Sequence, residues 1–412
     1  MRPAVSDQIE RAVSESLRRR AGELPSLVAE LVREQSTLGS EEGVQQVIAD
    51  RLARAGFEVA RVEPDAKAAR EDPNAGYPSI AYDGRSSVVG VRRGTAGGRS
   101  LHLTGHADVV PVDPDAPWSH DPWAGEIADG RVWGRGAGDM KGGLAAYLLA
   151  AEALAEACPE LPGDLVFSSV IEEEHGGNGM WSVLRAGYTA DATLVGEPTG
   201  LDIVHAGTGV VWARLTARGA AGHSAYGGGN GPFDELARAV AALRGLEAAA
   251  NQPPRDAVFA AVSDWPYGMT VGRIRGGVWT SSAPALLEVS VRFGLGLGID
   301  PTELQDRIVA AITEAAPAVS VSFEAFRARA YCYETDGPLP TLLGRAHESV
   351  IGSPPGLTAF TATNDARQVE GALCYGPLAG GLHGPDEWVD IHSLEQTAAV
   401  VALATLRWLT GE

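Results

Sequence analysis

Apolar residues recur at helical spacing near the start of the chain. Over Glu23 to Glu34, Leu24, Leu27, Val28, Leu31 and Val32 share one face. Over Glu41 to Ala55 the stripe is Val44, Val47, Ile48 and Leu52, and Gly56 is placed to end that helix. The pattern then shortens. Phe57–Val62 reads as a strand, Ser86–Val91 and Ser100–Thr104 alternate as strands do, and the polar stretch Asp65–Gly84 between them reads as a loop. Leu144–Ala157 predicts a helix, and the apolar runs Asp164–Ile171 and Ala192–Val195 predict strands buried on both faces. Strands alternating with helices predict an α/β sheet covered on both sides.

After Glu197 the texture changes. Asp202–Ala206, Val210–Ala217, Gly272–Arg275 and Leu286–Phe293 predict strands, and Phe233–Glu247 and Pro301–Ala315 predict helices. Two helices among antiparallel strands suggest a small α+β layer over residues 203–328. From Pro338 the helix–strand texture returns, and it ends in a helix over Leu394–Leu409. The expected organisation is one α/β domain, residues 1–202 and 329–412, interrupted by an inserted α+β domain. The Gly-rich stretch Gly227–Gly231 reads as a loop within the insertion.

A length of 412 residues fits more than one structural unit, and 45% hydrophobic with 21% charged residues fits a globular chain. The 53 acidic against 33 basic residues give a net charge of −20, which argues against a nucleic-acid partner. Cys158, Cys332 and Cys374 form no CxxC pair, as expected in a reducing compartment. Met1–Arg20 carries Asp7, Glu10 and Glu15 and no apolar core, unlike a secretory signal. No apolar run reaches the ~18 residues of a membrane span. A cytoplasmic protein with no membrane partner is the expectation.

Five segments place acids or histidines just after expected strands, where α/β sheets gather their ligands. They are Thr104–Asp108 with His106 and Asp108, the Gly-rich loop Gly134–Gly143 with Asp139, and Ile171–Gly177 with Glu172, Glu173 and Glu174. The last two are Val195–Thr199 with Glu197 and Gly381–Trp388 with His383. An Asp two residues after His106 can accept from the imidazole and fix its tautomer. The Gly134–Gly143 spacing fits neither a Walker A loop nor a dinucleotide fingerprint, and Asp139 would repel phosphate. Three adjacent glutamates after an apolar strand are costly unless cations neutralise them. Singly, each segment has an ordinary structural explanation. Together they supply two histidines and several carboxylates without a thiolate, the donor set of a hydrolytic two-metal site. No GxSxG elbow supports a serine nucleophile.

In order and wording these segments resemble the dinuclear zinc aminoacylase and carboxypeptidase family, which includes acetylornithine deacetylase, succinyl-diaminopimelate desuccinylase and glutamate carboxypeptidase. The likeness runs through almost the whole chain. It implies a zinc-peptidase-like catalytic domain with a mixed central sheet flanked by helices, and an inserted lid and dimerisation domain. It implies two Zn²⁺ per subunit, with Co²⁺ or Mn²⁺ compatible. His106, Asp139, Glu174, Glu197 and His383 match the metal ligands, with Asp139 bridging and its bond to Met140 cis. Asp108 matches the carboxylate supporting His106, and Glu173 the general base. Within Gly222-His223-Ser224-Ala225, His223 matches a lid histidine that polarises the scissile carbonyl, in some relatives across a dimer. Arg367, in Asn364-Asp365-Ala366-Arg367, matches the arginine that pairs with a substrate carboxylate; Asn364 belongs to that segment, and Arg292 is a further candidate for the task.

Three departures from the family pattern stand out. Glu172 occupies a position usually held by Asp. Thr280-Ser281-Ser282-Ala283-Pro284 replaces a stretch with an Asn before Val-Pro. Thr363-Asn364-Asp365 replaces Gly-Thr-Asp. The last two bear on specificity and leave the ligand set intact. The expected reaction is removal of an acyl group from an N-acylated amino acid or related small amine. A dipeptidase or carboxypeptidase is the alternative within the same chemistry. A non-catalytic homologue is the alternative outside it, disfavoured by the complete ligand set. The expected partners are a small N-acyl amino acid or dipeptide-like substrate and a second copy of the chain, forming a homodimer through the insertion.

Overall fold

The computed structural model of the chain describes residues 3–95, 97–223, 225 and 231–411. Ser224 and most of the Gly227–Gly231 loop lie outside the described residues. The helix Gly142–Ala157 organises the larger unit. Its sequence is apolar all round, and every residue from Gly142 to Ala155 is buried. The helices Pro3–Arg20, Glu23–Arg33 and Ile391–Thr410 pack against it. Its one buried acid, Glu152, takes a bidentate pair from Arg51 (2.8 and 2.7 Å) and a further bond from Arg20. These bonds offset the cost of desolvating a carboxylate in that setting.

Beneath this helix lies a mixed sheet, nine-stranded among the described residues. Leu101–His106 runs at its centre, parallel to Leu165–Val170 on one side and Ala192–Val195 on the other. Glu58–Val62 and Ser87–Arg92 extend one edge antiparallel, and Leu373–Cys374 joins Ala192–Val195 in parallel. The three central strands are fully buried, and their polar members pair with one another, His102 and Thr104 both bonding Ser168. Parallel neighbours also put three carboxyl ends side by side at one rim of the sheet.

The insertion is a four-stranded antiparallel sheet in the order Met269–Gly276, Leu286–Leu295, Gly209–Arg218, Val319–Ala328. Val211, Ala213, Leu215 and Ala217 alternate onto one face, against the helices Pro232–Ala250 and Pro301–Ala315. Asp300 caps the second helix, accepting from the Thr302 amide, with Pro301 in the first turn.

Two expectations need correction. The strand expected at Asp202–Ala206, assigned to the insertion, is Ile203–Gly207 and pairs with Leu373–Cys374, Leu357–Phe360 and Tyr331–Cys332 in the large sheet. The inserted sheet therefore begins at Gly209. The loop expected at Asp65–Gly84 contains a helix, Ala66–Glu71. Asp65 caps its start through the Lys67 and Ala68 amides, and Arg327 donates to the Ala69 and Asp72 carbonyls at its end.

A third, small sheet was not anticipated. It orders Ala379–Gly380, Trp388–Asp390, Arg131–Trp133 and Glu126–Ala128. It suspends the His383 loop beside the Asp139 loop. Among the described residues no helix is long and apolar enough to cross a membrane, and the three cysteines are free.

Candidate metal centre

His106 is the last residue of the central strand and is almost completely buried. Its Nδ1 lies 2.8 Å from the carbonyl of Asp108, which can only accept, so Nδ1 donates and Nε2 is left to face Asp139 Oδ1 at 3.1 Å. The second oxygen of Asp139 faces His383 Nε2 at 3.4 Å, and His383 Nε2 lies 3.0 Å from Glu174 Oε1. Each carboxylate oxygen of Asp139 is thus assigned to a different imidazole. Donors about 2.0–2.1 Å from one tetrahedral cation stand about 3.3 Å apart. The observed separations fit that spacing.

Donor atoms of His106, Asp139 and Glu174 all lie within 4.8 Å of one another. His383 joins them through its contacts with Asp139 and Glu174. Glu197, buried at the exit of Ala192–Val195, shares no hydrogen bond with these residues among those described. Its carboxyl is pushed well above the usual range by burial and then by the Asp139 charge, and, against burial, its own charge adds to the Asp139 hydrogen bond in raising His106. The Asp139–Met140 peptide is cis, as the resemblance implied. Close backbone approach brings these loops together: a Cβ on Gly143 would stand 1.7 Å from the carbonyl oxygen of Gly196.

The electrostatics are those of a site short of positive charge. Burial and then Asp365 push the Glu173 carboxyl well above the usual range, and burial pushes Asp108 up to about 7. His383 is pushed up to about 11, first by the Glu174 charge and then by its bond with Asp139. Asp139 is held well below the ordinary value by both histidines, against the opposing effect of burial. Divalent cations would neutralise this excess. The spacing of His106, Asp139, His383 and Glu174 therefore fits metal binding on both sides of the Asp139 carboxylate, with Glu197 a further buried carboxylate at the same rim.

Asp108 does not support His106 in the manner expected. Its carboxylate stands 3.9 Å from the imidazole Nδ1, too far for a hydrogen bond, and the main-chain carbonyl takes that role. Each carboxylate oxygen instead accepts a backbone amide, Oδ1 from Glu173 and Oδ2 from Glu174, both at 3.0 Å. Asp108 thus fixes the chain that carries Glu173. The Glu173 carboxylate is buried, and its Oε1 has no hydrogen-bond partner among the described residues.

The substrate-side candidates divide. Arg367 donates to the carbonyls of Asn364 (2.7 Å) and Gly176 (3.2 Å), and its Nη1 lies 3.7 Å from Glu173 Oε1. It is held beside Glu173 rather than opened toward a ligand. Arg292 donates to the carbonyls of Gly268 and Thr361, and no carboxylate pairs with it among the described residues. Asn364 caps the turn Asp365–Gln368, its Oδ1 accepting from Tyr331 and the Ala366 amide, while its buried Nδ2 has no partner. His223 is exposed on the two-residue strand Gly222–His223, paired with Ser282–Ala283, and its Nδ1 accepts the Ala225 amide at 3.1 Å.

Sequence reasoning missed the partners of Glu172 and two further supporting groups, Arg135 and Glu387. Glu172, at positive φ, is buried and bonded to Tyr82 and Arg85. Arg135 and Glu387 form a buried pair between the Asp139 and His383 loops. Charged residues inside loops so rich in glycine were the available signal.

Residues 102–407 match the sequence profile of peptidase family M20/M25/M40. A succinyl-diaminopimelate desuccinylase of Cereibacter sphaeroides is 31% identical over 400 residues, covering 91% of this chain and 96% of that protein. The crystal structure of human carnosine dipeptidase 1 superposes with a TM-score of 0.79 at 16% identity, over 98% of this chain and 99% of that one. A Bacillus subtilis protein described as a dinuclear metal binding peptidase of the M20 family superposes with a TM-score of 0.62 at 14% identity, over 95% and 99%.

Proposed function

The chain belongs to peptidase family M20/M25/M40 and is an enzyme acting on amide bonds, and from that premise we propose that it removes the acyl group from an N-acylated amino acid or related small amine. The observation that carries this reading is the single carboxylate of Asp139 with one histidine at each oxygen, together with a buried Glu173 whose Oε1 accepts no hydrogen bond among the described residues. His106, Asp139, Glu174, Glu197 and His383 would hold two ions, taken here to be Zn²⁺ because the donors are imidazole and carboxylate without thiolate. Bound there, the metals supply Lewis-acid polarisation of the carbonyl and acidify the attacking water.

The chain's own residues do the rest. Asp108 holds the Glu173 and Glu174 amides, so the Glu173 side chain leaves a fixed backbone. Glu173 takes the proton of the attacking water and delivers it to the leaving nitrogen. A substrate carboxylate falls to Arg292, a half-buried guanidinium that, unlike Arg367, has no carboxylate beside it among the described residues. Arg367, close to Glu173 and Asp365, balances their charge.

A panel of N-acetyl, N-succinyl and N-formyl amino acids beside dipeptides, run with zinc-loaded protein, tests the assignment. Hydrolysis of at least one acyl amino acid is expected, abolished by exhaustive chelation and restored by Zn²⁺ or Co²⁺. Turnover of dipeptides alone would transfer the enzyme to the peptidase reading, and activity that survives chelation would end the metal-dependent one.

A homodimer through the insertion is proposed with it. Phe233, Ile274, Val278 and Trp279 are all strongly exposed there, and Met269–Gly276 is an edge strand of its sheet. His223, exposed on the insertion, would then be brought to the site by lid closure or by a second copy. Light scattering at micromolar concentration should give twice the 42.9 kDa of the chain; a monomer there removes the dimer from the proposal.

A further inference from the structure

Asp139 and His383 sit on loops from distant parts of the chain, and a buried ion pair that supplies no ligand sets how those loops meet. Glu387 is fully buried. Its Oε1 accepts the amides of Gly138 (3.0 Å) and Asp139 (2.9 Å), and its Oε2 accepts from Arg135 Nη1. Nη2 of the same guanidinium donates to the carbonyl of Gly384, the residue after His383, at 3.1 Å. Each loop therefore grips the backbone next to the other loop's ligand. The contact leaves no slack: a Cβ on Gly138 would lie 2.8 Å from Leu382 Cδ2 and 3.1 Å from the Trp388 carbonyl oxygen.

The histidine loop needs holding. His383 and Asp386 adopt φ of 60° and 52°, a region that side-chain-bearing residues populate sparsely. Asp386 is anchored by the Ser119 and His120 amides at 2.7 and 3.0 Å. A buried Glu–Arg pair is a poor device for stability alone, because apolar side chains of the same volume are often as stable or more so. What it offers that apolar packing does not is direction.

We propose that Arg135 and Glu387 are positioning residues that fix the separation of Asp139 and His383, and so set the affinity of the metal position served by His383 and Glu174. The inference rests on the dinuclear reading given above. It extends the rule that partners behind a ligand tune the metal to a pair that acts through main-chain amides and a carbonyl.

The test uses full-length protein stripped of metal and titrated with Zn²⁺ against a chromophoric chelator. Glu387→Gln keeps the volume and one acceptor but turns an amide donor toward Arg135. One Zn²⁺ is expected to bind as in wild type and the second about 10–100-fold more weakly. Excess Zn²⁺ should restore kcat with KM unchanged. The double variant Arg135→Met/Glu387→Gln leaves no uncompensated buried charge; it should melt near wild type without metal and show the same weakened second site. Two ions bound at wild-type affinity in both variants would overturn the proposal. So would equal loss of both ions together with a large fall in the melting temperature of the metal-free protein, which marks a purely structural pair. Wild-type protein that binds fewer than two ions refutes the dinuclear reading itself, a result visible before any variant is made.

Discussion

Replacing Glu173 with Gln is expected to leave both metal positions filled while kcat falls by about 10²–10⁴-fold, the contribution of one well-placed acid–base group. The geometry separates this side chain from the ligands around it. Its Oε1 is buried and without a hydrogen-bond partner among the described residues, and the nearest cation, Arg367 Nη1, is 3.7 Å away. Burial, reinforced by Asp365, raises the carboxyl's affinity for a proton. Glutamine fills the same space and cannot carry that proton. The backbone at this position is held by Asp108 through the Glu173 and Glu174 amides, which the substitution does not touch. Metal content, melting temperature and kcat measured on one preparation decide the matter. Retained metal with lost turnover supports the assignment; a wild-type kcat removes Glu173 from the role of base.

The same region shows what could be read from the sequence and what could not. The expected α/β fold is the one observed, because strands and helices alternate along the chain and helices such as Glu23–Arg33 carry a clear apolar stripe. Ala192–Val195 and Pro301–Ala315 are observed with the expected bounds. Elements whose stability comes from elsewhere were not legible. The helix Ala66–Glu71 depends on Arg327, far along the chain. The small sheet that carries the His383 loop is built of strands two or three residues long, too short to show a period. Ile203–Gly207 reads as a strand, but a strand's own residues do not say which sheet it joins, and the insertion was therefore started too early.

At the site, the candidate donors were legible only as a set, from the order and wording of five segments that singly have ordinary explanations. Their support was not, because it runs through main-chain atoms. The tautomer of His106 is fixed by a carbonyl rather than by the Asp108 carboxylate, and that carboxylate is engaged by two amides. Arg367 has the chemistry of a carboxylate clamp, yet the fold directs its fork to the carbonyls of Asn364 and Gly176. Residue type suggests what a side chain can do. Which partner it finds is decided by backbone geometry that no local pattern encodes.

Asp139→Ala is expected to empty both metal positions and to reduce activity well beyond the about 10–100-fold typical of partners behind the ligands. The reason is the division of its oxygens, Oδ1 toward His106 at 3.1 Å and Oδ2 toward His383 at 3.4 Å. One substitution removes a donor from each position, and it also removes a negative charge that attracts both cations. His383→Ala removes a donor from only one position. Metal analysis should therefore order the proteins as two ions for wild type, one for His383→Ala and none for Asp139→Ala. Loop collapse would give a different pattern. Glu387 holds the Gly138 and Asp139 amides rather than the aspartate side chain, so the loop keeps its anchor in Asp139→Ala, and the melting temperature of the metal-free protein should stay close to wild type. If Asp139→Ala retains two ions, the carboxylate does not bridge, and the two histidines answer to separate sites.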